Sequence, residues 1–188
     1  MKRFEPDFPL ATERLLLRPF VEADFAQLHA LNSLPDTVRW LYEEPATEQE
    51  TRAVLDKRLP MVAIAAEGDS LGLVIADRAG AFLGDANLTL VSELQRLGEI
   101  GFVLHPDHQG QGYATEAARE LLRIAFEELR LHRVIGRCEA RNAASAAVLE
   151  RLGMRCEAHL VENEWVKGEW QSELVYALLD SEWRASAS

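Results

Sequence analysis

Residues 105–117 read His105-Pro106-Asp107-His108-Gln109-Gly110-Gln111-Gly112-Tyr113-Ala114-Thr115-Glu116-Ala117. Before them, residues 97–104 (LGEIGFVL) form an apolar, strand-like run. After them, residues 112–129 carry Ala117, Leu121, Leu122, Ile124, Ala125 and Leu129 at helical spacing. A strand that passes through a glycine-rich turn into a helix N-terminus makes an anion site. The first N–H groups of the helix have no partner there, and the helix dipole favours negative charge. Gly110 and Gly112 leave room for an anion to approach the main chain and can adopt positive φ without strain. The turn lacks the third glycine and downstream acidic residue of a dinucleotide fingerprint, and no Gly-Lys-Ser/Thr makes it a P-loop. Taken alone, such a turn could equally be an ordinary connection.

The 188 residues suit one domain, 1–188, with its own core. With 20 basic and 31 acidic residues the net charge is −11. That surface repels phosphate backbones and anionic lipid, so neither nucleic acid nor membrane is expected as a partner. It would draw in a cation such as an amine or a basic peptide end, although solubility alone also explains such acidity. Cys138 and Cys156 are far apart and in no metal-ligand spacing, so two free thiols and no metal are expected. No window approaches the roughly 20 apolar residues of a membrane span. The opening MKRFEPDFPLATERL also lacks a signal-peptide core. The expected location is cytoplasmic.

Along the chain, residues 14–20 read as an opening strand. Residues 22–34 read as a helix, with Asp24 placed to complement its dipole. Thr47 and Glu50 form a capping box that opens a second helix, ending before Pro60. Period two then predicts antiparallel strands over 71–77, 81–91 and 97–104, while 61–66 fits strand or helix end. A strand over 134–140 and a short helix over 143–152, closed by Gly153, follow the long helix. Two further strands are expected over 155–161 and 170–179, and the tail 185–188 has a disordered composition. The pattern is α+β: a mostly antiparallel sheet with one right-handed strand–helix–strand crossover, whose flanking strands run parallel.

The run Gln109-Gly110-Gln111-Gly112-Tyr113-Ala114 resembles the Q/R-x-x-G-x-G/A signature of the GNAT superfamily of N-acetyltransferases. Its neighbours agree: Glu99-Ile100-Gly101-Phe102 before it, Arg141-Asn142-Ala143-Ala144-Ser145 after the next strand, and Gly153-Met154 where the family ends its short helix with Gly-Phe. Residues 12–19 (TERLLLRP), Gly168-Glu169-Trp170 and Val175-Tyr176-Ala177-Leu178-Leu179 are similar to the branch that acetylates ribosomal-protein N-termini. The resemblance covers about residues 11–183. It implies a sheet of about six to seven strands splayed at a parallel pair, flanked by about four helices. It also implies acetyl-CoA as co-substrate, an amine-bearing small molecule or peptide N-terminus as acceptor, and a homodimer as one expected assembly.

Under that resemblance the backbone of Gln109, Gly110, Gln111, Gly112, Tyr113 and Ala114 would hold the donor's pyrophosphate. Phe102, Val103 and Leu104 would pair with the pantetheine arm as an added strand does. Asn142 would hydrogen-bond that arm, with Ser145 beside it; an N-cap is the other reading of Asn142. A protonated amine cannot attack a thioester, so a base must take its proton, and Glu99 is the candidate. Many superfamily members protonate the leaving sulfur with a Tyr, but the matching position here is Leu149, which leaves Ser145 as the candidate donor. His105 and His108 flank the turn and read as a strand-end residue and as a loop residue or CoA-phosphate contact. Trp40, Tyr42, Glu43, Glu44 and the segment 165–170 would line the acceptor groove, or simply rim the core. A non-catalytic acyl-CoA-binding module on the same fold, or an interaction domain holding a basic protein, stay open at this point.

Overall fold

The computed structural model describes residues 2–186. Eight strands, β1 (Leu10–Ala11), β2 (Leu15–Pro19), β3 (Ser70–Asp77), β4 (Phe82–Ser92), β5 (Leu97–Leu104), β6 (Arg133–Glu139), β7 (Arg155–Val166) and β8 (Glu169–Leu179), form one sheet. Their order is β1-β2-β3-β4-β5-β6-β8-β7. Six α-helices accompany them: α1 (Phe25–Asn32), α2 (Pro35–Val38), α3 (Glu48–Arg58), α4 (Tyr113–Arg123), α5 (Ala143–Arg151) and α6 (Asp180–Ser186).

Only β5 and β6 run parallel, and they pair over just three positions, ending at Glu99 opposite Ile135. Beyond Glu99, β5 stays with β4 as far as Leu104 opposite Gly84, while β6 stays with β8 as far as Glu139 opposite Glu173. The sheet therefore opens like a V on the side where the donor signature begins. The crossover between the two strands is α4, whose Ala117, Ala118, Leu121 and Leu122 are buried in the main core with Ile100, Leu104 and Leu149. A smaller cluster of Phe20, Leu28, Leu55, Val74 and Ala76 packs α1 and α3 onto the sheet. The mixed, mostly antiparallel architecture expected from the sequence is the one observed.

The differences are local. The counts of about seven strands and four helices rise to eight and six because β1, α2 and α6 are too short to show a period. The run 61–66 forms only isolated bridges, Val62 to Leu71 and Ile64 to Phe4. The helix expected over 112–129 closes with a π turn at Ile124–Glu128, where the Leu129 N–H donates to the Ile124 carbonyl at 2.9 Å. The tail assigned to disorder begins inside α6, and residues 187–188 lie outside the described residues. Asp24 does more than complement a dipole. Its carboxylate accepts both Arg18 guanidinium nitrogens at 2.7 Å and the Val21 N–H at 2.8 Å, tying α1 to β2. The Thr47–Glu50 capping box forms reciprocally as expected.

Candidate active site

A cavity of about 840 Å³ lies where β5 and β6 part, near the upper end of the roughly 300–1,000 Å³ typical of ligand sites. Phe102, Val103 and Leu104 of β5 form one wall, Gln109, Gly110, Gly112, Tyr113 and Ala114 the next, and Asn142 and Ser145 at the start of α5 a third. Thr37 and Trp40, from α2 and the residue pair after it, lie on the same cavity. Of the residues implied for donor binding, all but Gln111 line this space.

The turn is fixed from several sides. Gly112 is the N-cap of α4 with φ +83°, and a Cβ there would sit 3.2 Å from the Arg14 guanidinium. Side-chain amides of Gln109 and Gln111 donate to the Leu104 and Asp107 carbonyls at 3.1 and 3.2 Å, stitching the turn to itself. Arg14 donates to the Gln111 carbonyl at 2.9 Å and pairs with Glu116 at 2.7 Å. Glu116, one turn into α4, also accepts the Thr12 hydroxyl at 2.6 Å and the Arg14 N–H at 2.7 Å. Burial pushes the Glu116 carboxyl up, but those three donors and the Arg14 charge outweigh it and hold it below its usual range. The residues 12–14 and 116 are about a hundred positions apart in sequence, so the clamp could be read only from their shared motifs.

Asn142 caps α5: its Oδ1 accepts the Ser145 N–H at 3.1 Å. That leaves its Nδ2 and the Ser145 hydroxyl without a protein hydrogen bond among the described residues. Leu149 is buried against Gly136 of β6, where a Cβ would lie 2.6 Å from the leucine, so this position is packing and supplies no proton. Tyr176, opposite Gly136 on β8, donates its hydroxyl to Glu150 at 3.1 Å. Burial first, then that bond, push its phenol up to about 12.

Glu99 occupies the last paired position before the V opens, one-third exposed, and does not line the cavity. Strand alternation places it on the face opposite buried Ile100. There Arg137 of β6 stands 3.6 Å from Glu99 and 3.7 Å from Glu173 of β8. Glu173 is buried, and that burial first of all raises its pKa. Nearby the Tyr42 hydroxyl donates to Glu164 at 2.6 Å, which raises the phenol well above its ordinary value. Sequence reasoning named Glu99 and Tyr42 but missed Arg137, Glu164 and Glu173. Charges are common in these strands, as in residues 155–166 (RCEAHLVENEWV), so no local signal singled these three out.

The remaining candidates separate. The Trp40 ring already has guanidinium groups of Arg39 and Arg141 at 4.6 and 5.5 Å. Arg141 in turn pairs with Glu139 at 2.7 Å and Glu169 at 2.6 Å. Lys167 donates to the Val38 carbonyl at 2.6 Å, so the last hairpin holds the end of α2. Glu43 and Glu44 are exposed, as are Trp165 and Trp170, stacked edge to face at 5.4 Å. His105 accepts the Asp107 N–H at 3.3 Å and, like His108, does not line the cavity. Cys138 and Cys156 are free thiols, the first pushed up to about 11 chiefly by burial. Among the described residues no His, Cys, Asp and Glu cluster is arranged to hold a metal, and no helix is long and apolar enough to cross a membrane.

Residues 14–155 match the family described as "Acetyltransferase (GNAT) domain". The chain is 30% identical over 181 residues to the "Uncharacterized N-acetyltransferase YnaD" of Bacillus subtilis, covering 93% of this chain and 98% of that one. A GNAT-family acetyltransferase from Bacillus anthracis, 30% identical, superposes with a TM-score of 0.82 over 92% of this chain and 98% of its own. The spermidine N-acetyltransferase of Vibrio cholerae, solved with CoA and spermine, has the same fold at 24% identity and a TM-score of 0.78, covering 92% of this chain and 99% of that one. The chain thus belongs to the GNAT acetyltransferase family and is an acetyl-CoA-dependent enzyme.

Proposed function

We propose that this enzyme acetylates the primary amine of a cationic acceptor, a small amine or a peptide N-terminus, by direct attack on the thioester. The observation that carries this reading is the cavity at the strand opening, with unpaired main chain on β5 and a glycine-shaped helix N-terminus at one end. The N–H groups of residues 109–114 would hold the pyrophosphate, and residues 102–104 would pair with the pantetheine arm. The free Nδ2 of Asn142 would bond the same arm while its Oδ1 caps α5.

Chemistry then runs across the V. The acceptor nitrogen, once neutral, attacks the thioester carbon; the C–N bond forms and the C–S bond breaks. Glu99, directly or through water, takes the proton that the ammonium must lose. Ser145 donates a proton to the departing thiolate, in place of the Tyr that Leu149 cannot replace, and is reprotonated through water by the second proton that the attacking nitrogen sheds, while Glu99 releases its proton to solvent. Glu99 and Glu173 on Arg137, with Glu164 held by Tyr42 nearby, would give the acceptor side negative charge that suits an ammonium. The ribosomal-protein N-terminal branch is the finer reading, supported by the Thr12–Arg14–Glu116 clamp built from its opening motif. The homodimer implied by that branch, and a cytoplasmic location, belong to the same reading.

Calorimetric titration of acetyl-CoA, followed by thiol release over polyamines and basic N-terminal peptides, tests the proposal. Tight donor binding with turnover of a cationic amine is expected, and Ser145→Ala should lower kcat with little change in donor affinity. Tight donor binding with no thiol release across the panel would reject the proposed acceptor class.

A further inference from the structure

Three arginines line the cavity: Arg14, Arg119 and Arg151. Arg14 is neutralised by Glu116. Arg119 and Arg151 have no carboxylate within ion-pair distance among the described residues, in a chain whose net charge is −11. They are also neighbours, since the Arg119 guanidinium donates to the Arg151 carbonyl at 3.5 Å. Two cations on one cavity without a counter-ion raise its positive potential, and a dianion bound there removes that cost.

The donor carries such a dianion. CoA has a pyrophosphate, for which the turn supplies N–H groups, and one phosphomonoester on the ribose 3′ position. Arg119 lies seven residues beyond Gly112 on α4, a rise on the order of 10 Å. Its side chain leans back toward the helix N-terminus, and it lines the same cavity as Gly110 and Gly112 of the pyrophosphate turn. Arg151, the last residue of α5, reaches the same space from the other side. Guanidinium groups suit a phosphate because their paired N–H donors match two of its oxygens.

We propose that Arg119 and Arg151 bind the ribose 3′-phosphate of the donor and make the enzyme select acetyl-CoA over its 3′-dephospho form. This rests on the reading of the cavity as the donor site. A purely structural role is the rival, since Arg151 ends α5 and the Arg119 guanidinium donates to its carbonyl there, where cations complement the dipole. Calorimetry of the unaltered protein with CoA and with 3′-dephospho-CoA separates them without needing an acceptor. CoA should bind at least about 30-fold more tightly, as two charge-assisted contacts imply. In Arg119→Gln/Arg151→Gln that ratio should shrink to within about threefold, through weaker binding of CoA. Equal binding of the two ligands by the unaltered protein would overturn the proposal. So would a variant that loses melting temperature while keeping the ratio, the signature of a helix-end role. If the unaltered protein bound neither ligand, the donor-site reading would fall first, and this inference with it.

Discussion

The cavity wall proposed for the donor is made of main chain, whereas the region beyond Trp40 proposed for the acceptor is made of charged side chains that hold one another. On the first, β5 beyond Glu99 has no strand pairing on its β6 side, Gly110 and Gly112 turn the chain into α4 at positive φ, and Asn142 caps the helix beside it. On the second, Lys167 grips the end of α2, Tyr42 grips Glu164, and Arg141 joins Trp40, Glu139 and Glu169. Main-chain recognition depends on backbone shape, so it leaves glycines and caps in the sequence. Side-chain recognition depends on which distant residues meet, so it leaves almost no local trace. A wall of the first kind is suited to one constant ligand. A wall of the second kind can be retuned residue by residue for different acceptors.

If that division is right, damage to each wall should be separable. The largest effect falls on the turn. Gly112→Trp places a large side chain at φ +83° against Arg14, and acetyl-CoA binding should weaken by more than about 1,000-fold in calorimetry, or roughly 4 kcal/mol. A retained Kd would show that the turn does not hold the donor. Next, Glu99→Gln should lower kcat by about 100-fold or more, the scale of general-base loss, with the acetyl-CoA Kd unchanged. Rescue of kcat at high pH, where the amine is already neutral, would support the proton-removal role. An unchanged kcat would assign Glu99 to the surface.

Smaller, and on the donor side again, is Glu116→Gln. It removes the charge that Thr12 and Arg14 converge on, and should cost about 2 kcal/mol of stability. Glu116 is more acidic folded than unfolded. Its contribution is therefore fully present above the ordinary carboxylate value of 4.5 and is lost as pH falls below it. Melting temperature should drop through that acid window in the unaltered protein and drop less steeply in the variant. Equal slopes would mean that the clamp adds nothing through its charge.

The same division explains what could be read from the chain alone. The strands at residues 71–77, 97–104 and 134–140, the capping box at Thr47 and the helix after Gly112 carry period and cap signals within a few residues, and they appear where expected. The residues proposed to hold the donor, Gln111 apart, came together on one cavity with them, because a glycine turn and an N-cap are local features. Glu173 and Arg137 did not. Each is one charge among several in its strand with nothing local to single it out, and they meet only because β6 and β8, some forty residues apart, are paired. Trp40 and Tyr42 looked alike as aromatics awaiting a cation. Packing gives Trp40 two arginines and Tyr42 a carboxylate, which periodicity cannot reveal.

Tyr42→Phe is the smallest change and the sharpest probe of whether the walls are independent. The hydroxyl spans 122 residues of sequence to reach Glu164, yet Tyr42 is 60% exposed, so water can partly replace the lost bond. Removing it should cost about 1 kcal/mol, a factor of roughly five. That factor should fall on the acceptor KM, because the bond orders the segment after α2 against the hairpin carrying Glu164, while kcat and the acetyl-CoA Kd stay level. Lys167→Met, which frees the same hairpin from Val38 at another point, should move the same constant in the same direction. If either substitution instead weakened acetyl-CoA binding as much as it raised the acceptor KM, the hairpin would be shaping the donor wall too. Donor and acceptor would then be coupled through Arg141, the residue that contacts the hairpin at Glu169 and immediately precedes Asn142.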